Sequence, residues 1–160
     1  MEAAVQFQDV TPETLPFLHD GLKALSVDLG DAFPLAPRQL ERALFGPQPA
    51  CHGLLALGAG KALLGIALYA PVFSTTLGRP GVYVSDLWVA EDARGRALGP
   101  ALLAQVGARA GDRWDAGFLK LVSYRSNTRA RAFYARLGFA EQPDEIPLRI
   151  CIAALKLNEE

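Results

Sequence analysis

The chain has 160 residues, of which 51% are hydrophobic and 21% are charged, and its formal net charge is −1. These values predict one domain over residues 1–160 with a full hydrophobic core, and they give no electrostatic attraction to nucleic acid or to an anionic membrane. No apolar run is long enough to cross a bilayer, and the acidic N-terminus lacks a signal-peptide core, so we expect a cytoplasmic protein.

The first part of the chain carries one strand signal and two helix signals. Residues 5–10 alternate weakly, as a strand does, and Thr11-Pro12-Glu13 has the capping residue, the proline and the acid that are typical of a helix start. Residues 26–36 are predicted to be irregular, and a second helix is predicted over residues 37–45.

Strand signals dominate the middle of the chain. Apolar runs over residues 52–57 and 62–69 flank a Gly-containing turn, which favours a hairpin. A polar loop is predicted over residues 74–81, and it leads to a strand over residues 82–89.

The remaining elements alternate between helix and strand. A helical pattern begins near Pro100, a buried strand is predicted over residues 118–123, and a helix over residues 127–137 ends at Gly138. A last strand is predicted over residues 148–154. This order of elements favours an α/β fold in three layers.

The loop before the third helix has the composition of an anion site. Arg94-Gly95-Arg96-Ala97-Leu98-Gly99 places small residues at a helix start, where backbone N–H groups lack partners and the helix dipole is positive. It is not a nucleotide P-loop, because no Gly-Lys-Ser/Thr closes it, and it is not the dinucleotide fingerprint, whose first glycine directly follows the strand. A second block, Asn127 to Phe139, contains Ala130, the pair Phe133-Tyr134, and Leu137-Gly138-Phe139.

The two blocks together resemble the GNAT superfamily of acetyl-CoA-dependent N-acetyltransferases. The family loop reads Gln/Arg-x-x-Gly/Ala-x-Gly/Ala, which residues 94–99 fit, and the family's later helix reads as residues 127–139 do. The strand Val84-Ser85-Asp86-Leu87-Trp88-Val89 is most similar to that of the diamine and polyamine acetyltransferases. The resemblance implies a three-layer α/β/α sandwich with a mixed, mostly antiparallel sheet.

The resemblance also implies that acetyl-CoA is the co-substrate. Its pyrophosphate would lie on the backbone of residues 94–99, with charge added by Arg94 or Arg96, although Pro100 cannot donate where many relatives offer a further amide. Its pantetheine arm would run beside Leu87, Trp88 and Val89. The helix residues that the resemblance assigns to cofactor binding are Asn127, Ala130 and Phe133.

Three residues are candidates for the chemical steps. Tyr134 matches the family's proposed general acid, with a packing residue as the alternative. The family's usual base, a glutamate, is replaced by Ser85, which cannot take a proton unaided. Asp86, placed on the opposite strand face by simple alternation, either binds the amine or is a structural carboxylate. A water held by these groups would then relay the proton.

The expected acceptor is a primary amine of a small molecule, with Asp28 and Asp31 near Phe33 as candidates to line its groove. An acyl-CoA-binding module with little turnover and a transferase for protein N-termini or lysines stay open as alternatives. We expect neither nucleic acid, membrane nor metal as a partner, and a homodimer stays open. Cys51 and Cys151 are predicted to be buried free thiols, and His19 and His52 to be an ordinary helix residue and an ordinary strand-edge residue.

Overall fold

The computed structural model describes residues 4–155, and its centre is a five-stranded sheet in which β1 to β5 follow one another in chain order. The pairings β1–β2, β2–β3 and β3–β4 are antiparallel, and β4–β5 is parallel. The predicted mixed, mostly antiparallel sheet is therefore confirmed. The strands are Gln6–Asp9 (β1), His52–Leu57 (β2), Leu63–Ser74 (β3), Arg79–Val89 (β4) and Leu119–Leu121 (β5).

The chain divides into two compact units, Met1–Val122 and Ser123–Glu160. Among residues 4–155, the first unit contains the sheet and three α-helices, and the second contains one α-helix. That the whole chain acts as one domain stays a prediction. The helices are Leu15–Leu29 (α1), Pro37–Phe45 (α2) and Leu98–Trp114 (α3) in the first unit, and Thr128–Arg136 (α4) in the second.

Helices cover both faces of the sheet. A Cβ on Gly65 of β3 would lie 2.9 Å from Leu102 of α3, whereas a Cβ on Gly21 of α1 would lie 2.7 Å from Ile66 of β3. Because neighbouring strand residues point to opposite faces, α1 and α3 pack on opposite sides. The absence of a side chain at Gly21 lets α1 approach Ile66 this closely, as the three-layer prediction requires.

The predicted start and end of α1 are both wrong. Thr11 donates its backbone N–H to the Thr14 hydroxyl at 2.8 Å and so closes a turn, and the helix begins at Leu15. It then continues to Leu29, because Gly30 adopts the left-handed conformation that ends helices, with φ 73°. The irregular segment therefore begins at residue 30 rather than at residue 26.

The hairpin of β3 and β4 is longer than its apolar residues indicated. Its register runs out to the pair Ser74 and Arg79, so the loop predicted over residues 74–81 is a short turn containing Gly78 at φ 66°. Backbone pairing continues there although the side chains are polar.

The strand predicted over residues 148–154 is wrong, because the segment forms no ladder and Ile152–Ala154 is a 3₁₀ turn. The apolar alternation is present, but Leu148 and Ile152 are 92% and 86% exposed. A strand needs a partner for its backbone groups, and the described part of the second unit contains no other strand. Cys151 is consequently exposed, contrary to prediction, whereas Cys51 is half-buried; both thiols are free, as predicted.

Candidate active site

The strand β4 loses one of its two neighbours halfway along its length. Its pairing with β5 joins Val82, Tyr83 and Val84 to residues 119–121 and ends there. From Asp86 to Val89, β4 pairs only with β3 among residues 4–155. The backbone groups on the β5 side of Leu87, Trp88 and Val89 are thus left without a strand partner.

The point of divergence is a β-bulge. Leu68 and Tyr69 are consecutive in β3, but they pair with Asp86 and Val84, so Ser85 is an extra residue in β4. The Ser85 hydroxyl is exposed and donates to the Leu68 carbonyl at 3.3 Å. The simple alternation that placed Ser85 and Asp86 on opposite faces is interrupted at this residue.

Asp86 is half-buried and has no cationic partner. No ion pair in the described part of the chain includes it. Burial raises the pKa of the Asp86 carboxyl, and the nearby Ser85 hydroxyl opposes part of that rise. Burial, followed by the Asp86 charge, raises the pKa of the Cys51 thiol, which places Cys51 near this carboxylate. Asp86 therefore offers an unneutralised negative charge beside the bulge.

The loop at residues 94–99 is shaped by two left-handed residues. Gly95 has φ 78°, and Ala97 has φ 56° at the N-cap position of α3, where its side chain makes no capping hydrogen bond. The first helical bond runs from the Ala101 N–H to the Ala97 carbonyl at 3.1 Å. Within residues 4–155, no protein group accepts from the backbone N–H of four loop residues, which are Gly95, Ala97, Leu98 and Gly99.

An ordinary helix would have Ser, Thr, Asp or Asn at the position of Ala97, and its side chain would satisfy these amides. Alanine cannot do so, and the left-handed conformation costs an L-residue about 1–2 kcal/mol. The loop therefore keeps a cluster of donors open at the positive end of the helix dipole, as an anion site does.

Arg94 does not present a free charge to this cluster. Its Nε donates to the Val89 carbonyl at 3.0 Å, and its Nη2 lies 2.7 Å from Oδ2 of Asp28. The same Asp28 oxygen accepts from Trp88 Nε1 at 3.1 Å. Asp28, predicted to line a groove, thus links the end of α1 to both β4 and the loop. Arg96 is exposed on the loop.

The second unit contains the remaining predicted residues. Asn127 caps α4, since its Oδ1 accepts from the Ala130 N–H at 3.1 Å, as its position predicted. Tyr134 packs edge-on against Phe133 at 5.1 Å and against Phe139 at 5.4 Å between ring centroids. Burial raises the pKa of Tyr134, and no side chain among residues 4–155 forms a hydrogen bond with its hydroxyl. The ring of Tyr134 therefore packs against two aromatic side chains, and its hydroxyl is not used in a side-chain hydrogen bond within the described residues.

The structure therefore brings together Ser85, Asp86, the open edge of β4 and the loop in the first unit, whereas Tyr134 and the α4 residues belong to the second. Sequence reasoning missed the partners of Asp28, and it assigned no role to His52, which contacts Arg113. No sequence signal marks either contact, because the partners of Asp28 lie 60 and 66 positions away and Arg113 lies 61 positions from His52.

Two further features of residues 4–155 bear on function. They include no group of three or more His, Cys, Asp or Glu side chains able to hold a metal. None of their helices is long and apolar enough to cross a membrane.

Solved structures of acetyltransferases share this fold at low sequence identity. A probable acetyltransferase is 23% identical with a TM-score of 0.74, covering 92% of this chain and 97% of that chain. Ribosomal-protein-alanine N-acetyltransferase from Brucella melitensis biovar Abortus 2308 is 18% identical with a TM-score of 0.71, covering 92% and 100%. An aminoglycoside acetyltransferase from an uncultured soil metagenomic sample, in complex with sisomicin, is 12% identical with a TM-score of 0.74, covering 92% and 97%.

No curated protein matches the sequence. The model of the acetyltransferase (GNAT) family matches residues 21–139, a range that contains the bulged strand, the uncapped loop and α4. This range is most of the chain, and with the geometry above it establishes that the protein belongs to the GNAT acetyltransferase family.

Proposed function

We propose that this protein transfers an acetyl group from acetyl-CoA to a primary amine of a small molecule, by direct attack while both substrates are bound. The observation that carries the proposal is the uncapped start of α3, with its open amides, next to the unpaired edge of β4. In a GNAT family member, open amides at a helix start suit the pyrophosphate of acetyl-CoA, and an unpaired strand edge suits its pantetheine arm.

The loop fits a pyrophosphate. The N–H groups of Gly95, Ala97, Leu98 and Gly99 lack partners in the described part of the chain, and hydrogen bonds from backbone N–H groups to an anion are charge-assisted. Because Arg94 already pairs with Asp28, the helix dipole supplies the main positive potential for the phosphates.

The edge of β4 fits the amide-containing arm. Beside Leu87, Trp88 and Val89, β4 has no strand partner on the β5 side, so an extended ligand with amide groups can add to the sheet there. The Val89 carbonyl is already taken by the Arg94 side chain, which leaves the other backbone groups of this edge for the ligand. The bulge at Ser85 bends β4 just after its pairing with β5 ends at Val84.

Asp86 is the proposed anchor of the amine. It is half-buried, and among residues 4–155 it forms no ion pair, which suits an incoming ammonium group. The acceptor class is thereby a small molecule with one or more amino groups, as for the diamine acetyltransferases that the strand resembles and the aminoglycoside acetyltransferases that share the fold.

The proton balance needs two transfers. Acetyl-CoA, when bound, supplies the thioester carbonyl that the amine attacks. A water held by Ser85, Asp86 and the adjacent carbonyls accepts the proton that the ammonium group must lose, and Tyr134 returns a proton to the departing thiolate. Because an alkyl ammonium with a pKa of ~10 is about one part in a thousand neutral at pH 7, activity should keep rising toward alkaline pH.

The test is release of the free thiol from acetyl-CoA with a panel of acceptors. The panel contains a diamine, an aminoglycoside, a peptide with a free N-terminal alanine and a peptide with an internal lysine. Turnover with the diamine or the aminoglycoside is the expected result. Turnover with a peptide alone would assign the protein to the protein-modifying alternative, and coenzyme A binding without any turnover would assign it to the binding-module alternative.

A further inference from the structure

We propose that the first unit carries a second site, which binds a small organic carboxylate in a cavity near the C-terminal end of α3. The cavity has a volume of about 290 Å³. Its polar lining includes His52, Tyr69 and Arg113, and its apolar lining includes Val10, Leu44 and Phe45. We call it the Tyr69 cavity.

The first observation is the hydroxyl of Tyr69. Tyr69 is only 1% exposed, and among the described residues its hydroxyl has no hydrogen-bond partner. Burial, followed by the Asp9 charge, raises the pKa of this hydroxyl, and the neighbouring Arg113 and Arg109 oppose part of the rise. Buried hydroxyl groups are nearly always satisfied, so an orphan beside a cavity indicates a missing partner.

The second observation is the charge of Arg113. Its Nη1 lies 2.8 Å from Nδ1 of His52, and its guanidinium lies over the ring of Trp114 at 5.5 Å from the centroid. No ion pair among residues 4–155 includes Arg113. The acid that lines the cavity, Asp9, is paired with Arg109 at 2.6 Å. Arg113 therefore has no ion-pair partner of its own in the cavity.

The third observation is the tautomer of His52. A guanidinium can only donate, so Nδ1 of His52 must be the acceptor and Nε2 must carry the hydrogen. Burial and the Arg113 charge both lower the pKa of His52, which keeps the ring neutral. His52 is thus fixed as a donor through Nε2. Together with the Tyr69 hydroxyl and the remaining N–H groups of Arg113, it provides a set of hydrogen-bond donors in the lining of the cavity.

These features select the ligand class. One unpaired guanidinium matches one negative charge, and the apolar residues Val10, Leu44 and Phe45 match a hydrocarbon group. A multiply charged phosphate is disfavoured, because the Asp9 carboxylate also lines the cavity. A monoanionic carboxylate with a short aliphatic or aromatic group can pair with the guanidinium and also pack against the apolar residues.

The Tyr69 cavity is distinct from the site proposed for acetyl-CoA. Arg113 lies in the last turn of the 17-residue helix α3, whose first turn follows the loop at residues 94–99. A helix of that length spans about 25 Å. Binding in the cavity should therefore survive changes that abolish cofactor binding, such as Ala97→Glu.

The test uses benzoate as the probe and benzamide as its uncharged isostere. Titration calorimetry should show saturable binding of benzoate and much weaker binding of benzamide. In ¹⁵N-labelled protein, benzoate should shift the amide signals around residues 9–10, 44–45, 52–53, 69 and 113. Tyr69→Phe keeps the buried ring, so it should fold, and it should weaken benzoate binding about tenfold.

Arg113→Gln should weaken binding by at least as much, whereas Arg38→Gln, which removes an exposed arginine of α2 outside the cavity, should leave it unchanged. The proposal is overturned if benzoate binds no better than benzamide. It is equally overturned if both cavity variants, shown to be folded by their amide spectra, bind benzoate as the wild type does, or if the shifted signals lie elsewhere. Loss of acetyl transfer has no bearing on these readouts.

Discussion

The replacement of Ala97 by glutamate isolates the contribution of the phosphate loop. Ala97 is exposed and already adopts the left-handed conformation, so glutamate brings no new steric or backbone strain to the fold. Its carboxylate would lie among the amides of Gly95, Ala97, Leu98 and Gly99 and would compete with the phosphates for them. Hydrogen bonds to a charged group contribute about 1.5–3 kcal/mol each.

Loss of two such bonds would cost about 3–6 kcal/mol, which corresponds to a fall of about 10²–10⁴-fold in affinity. Titration calorimetry with coenzyme A measures the effect directly. Ala97→Gly is the matched control, because glycine keeps the amides open and removes a strain of about 1–2 kcal/mol. It should bind coenzyme A normally and unfold at a higher temperature. A folded Ala97→Glu variant with wild-type affinity would refute the assignment of the loop.

Three further substitutions test other parts of the account. Tyr134→Phe keeps the ring contacts with Phe133 and Phe139 and should lower kcat about 10²–10⁴-fold while the Kd for coenzyme A is unchanged; an unchanged kcat would leave Tyr134 as a packing residue. Asp28→Asn loses a half-exposed ion pair with Arg94, so the Tm should fall by no more than about 4 °C, and a larger fall would show that Asp28 is a main support of the loop. In the folded protein, burial raises the pKa of the Asp86 carboxyl above its unfolded value near 3.8. The protonated carboxyl therefore favours the folded state fully below pH 3.8, and this stabilisation is lost as the pH rises through the folded pKa. Asp86→Asn should therefore be more stable to urea than the wild type at neutral pH, with the difference closing in acid, and its KM for the amine should rise; equal stability at both pH values would contradict the burial of this charge.

Elements with strong local signals could be predicted from the sequence. The helix α2 has the predicted bounds, because Pro37 fits a first helical turn and Gly46-Pro47 ends the pattern. The strand β2 also has its predicted bounds, since its apolar run is bordered by small residues. The loop at residues 94–99 was recognisable because small residues and a helix start are adjacent in the chain.

Features that depend on distant partners could not be predicted. The bulge at Ser85 is a property of the register between two strands, and no single strand encodes it. Asp28 and Arg94 are 66 positions apart, and nothing near either residue indicates the other. The segment around Leu148 and Ile152 shows the reverse case, in which a strand pattern is present but the described part of its unit contains no partner strand.

The most direct test of acetyl transfer is the mass of the amine after incubation with acetyl-CoA and the protein. We predict that the acceptor becomes heavier by one acetyl group, that coenzyme A is released in equal amount, and that Ala97→Glu forms no product at cofactor concentrations that saturate the wild type. An acceptor of unchanged mass across the whole amine panel, with a wild-type protein that binds acetyl-CoA, would contradict acetyl transfer.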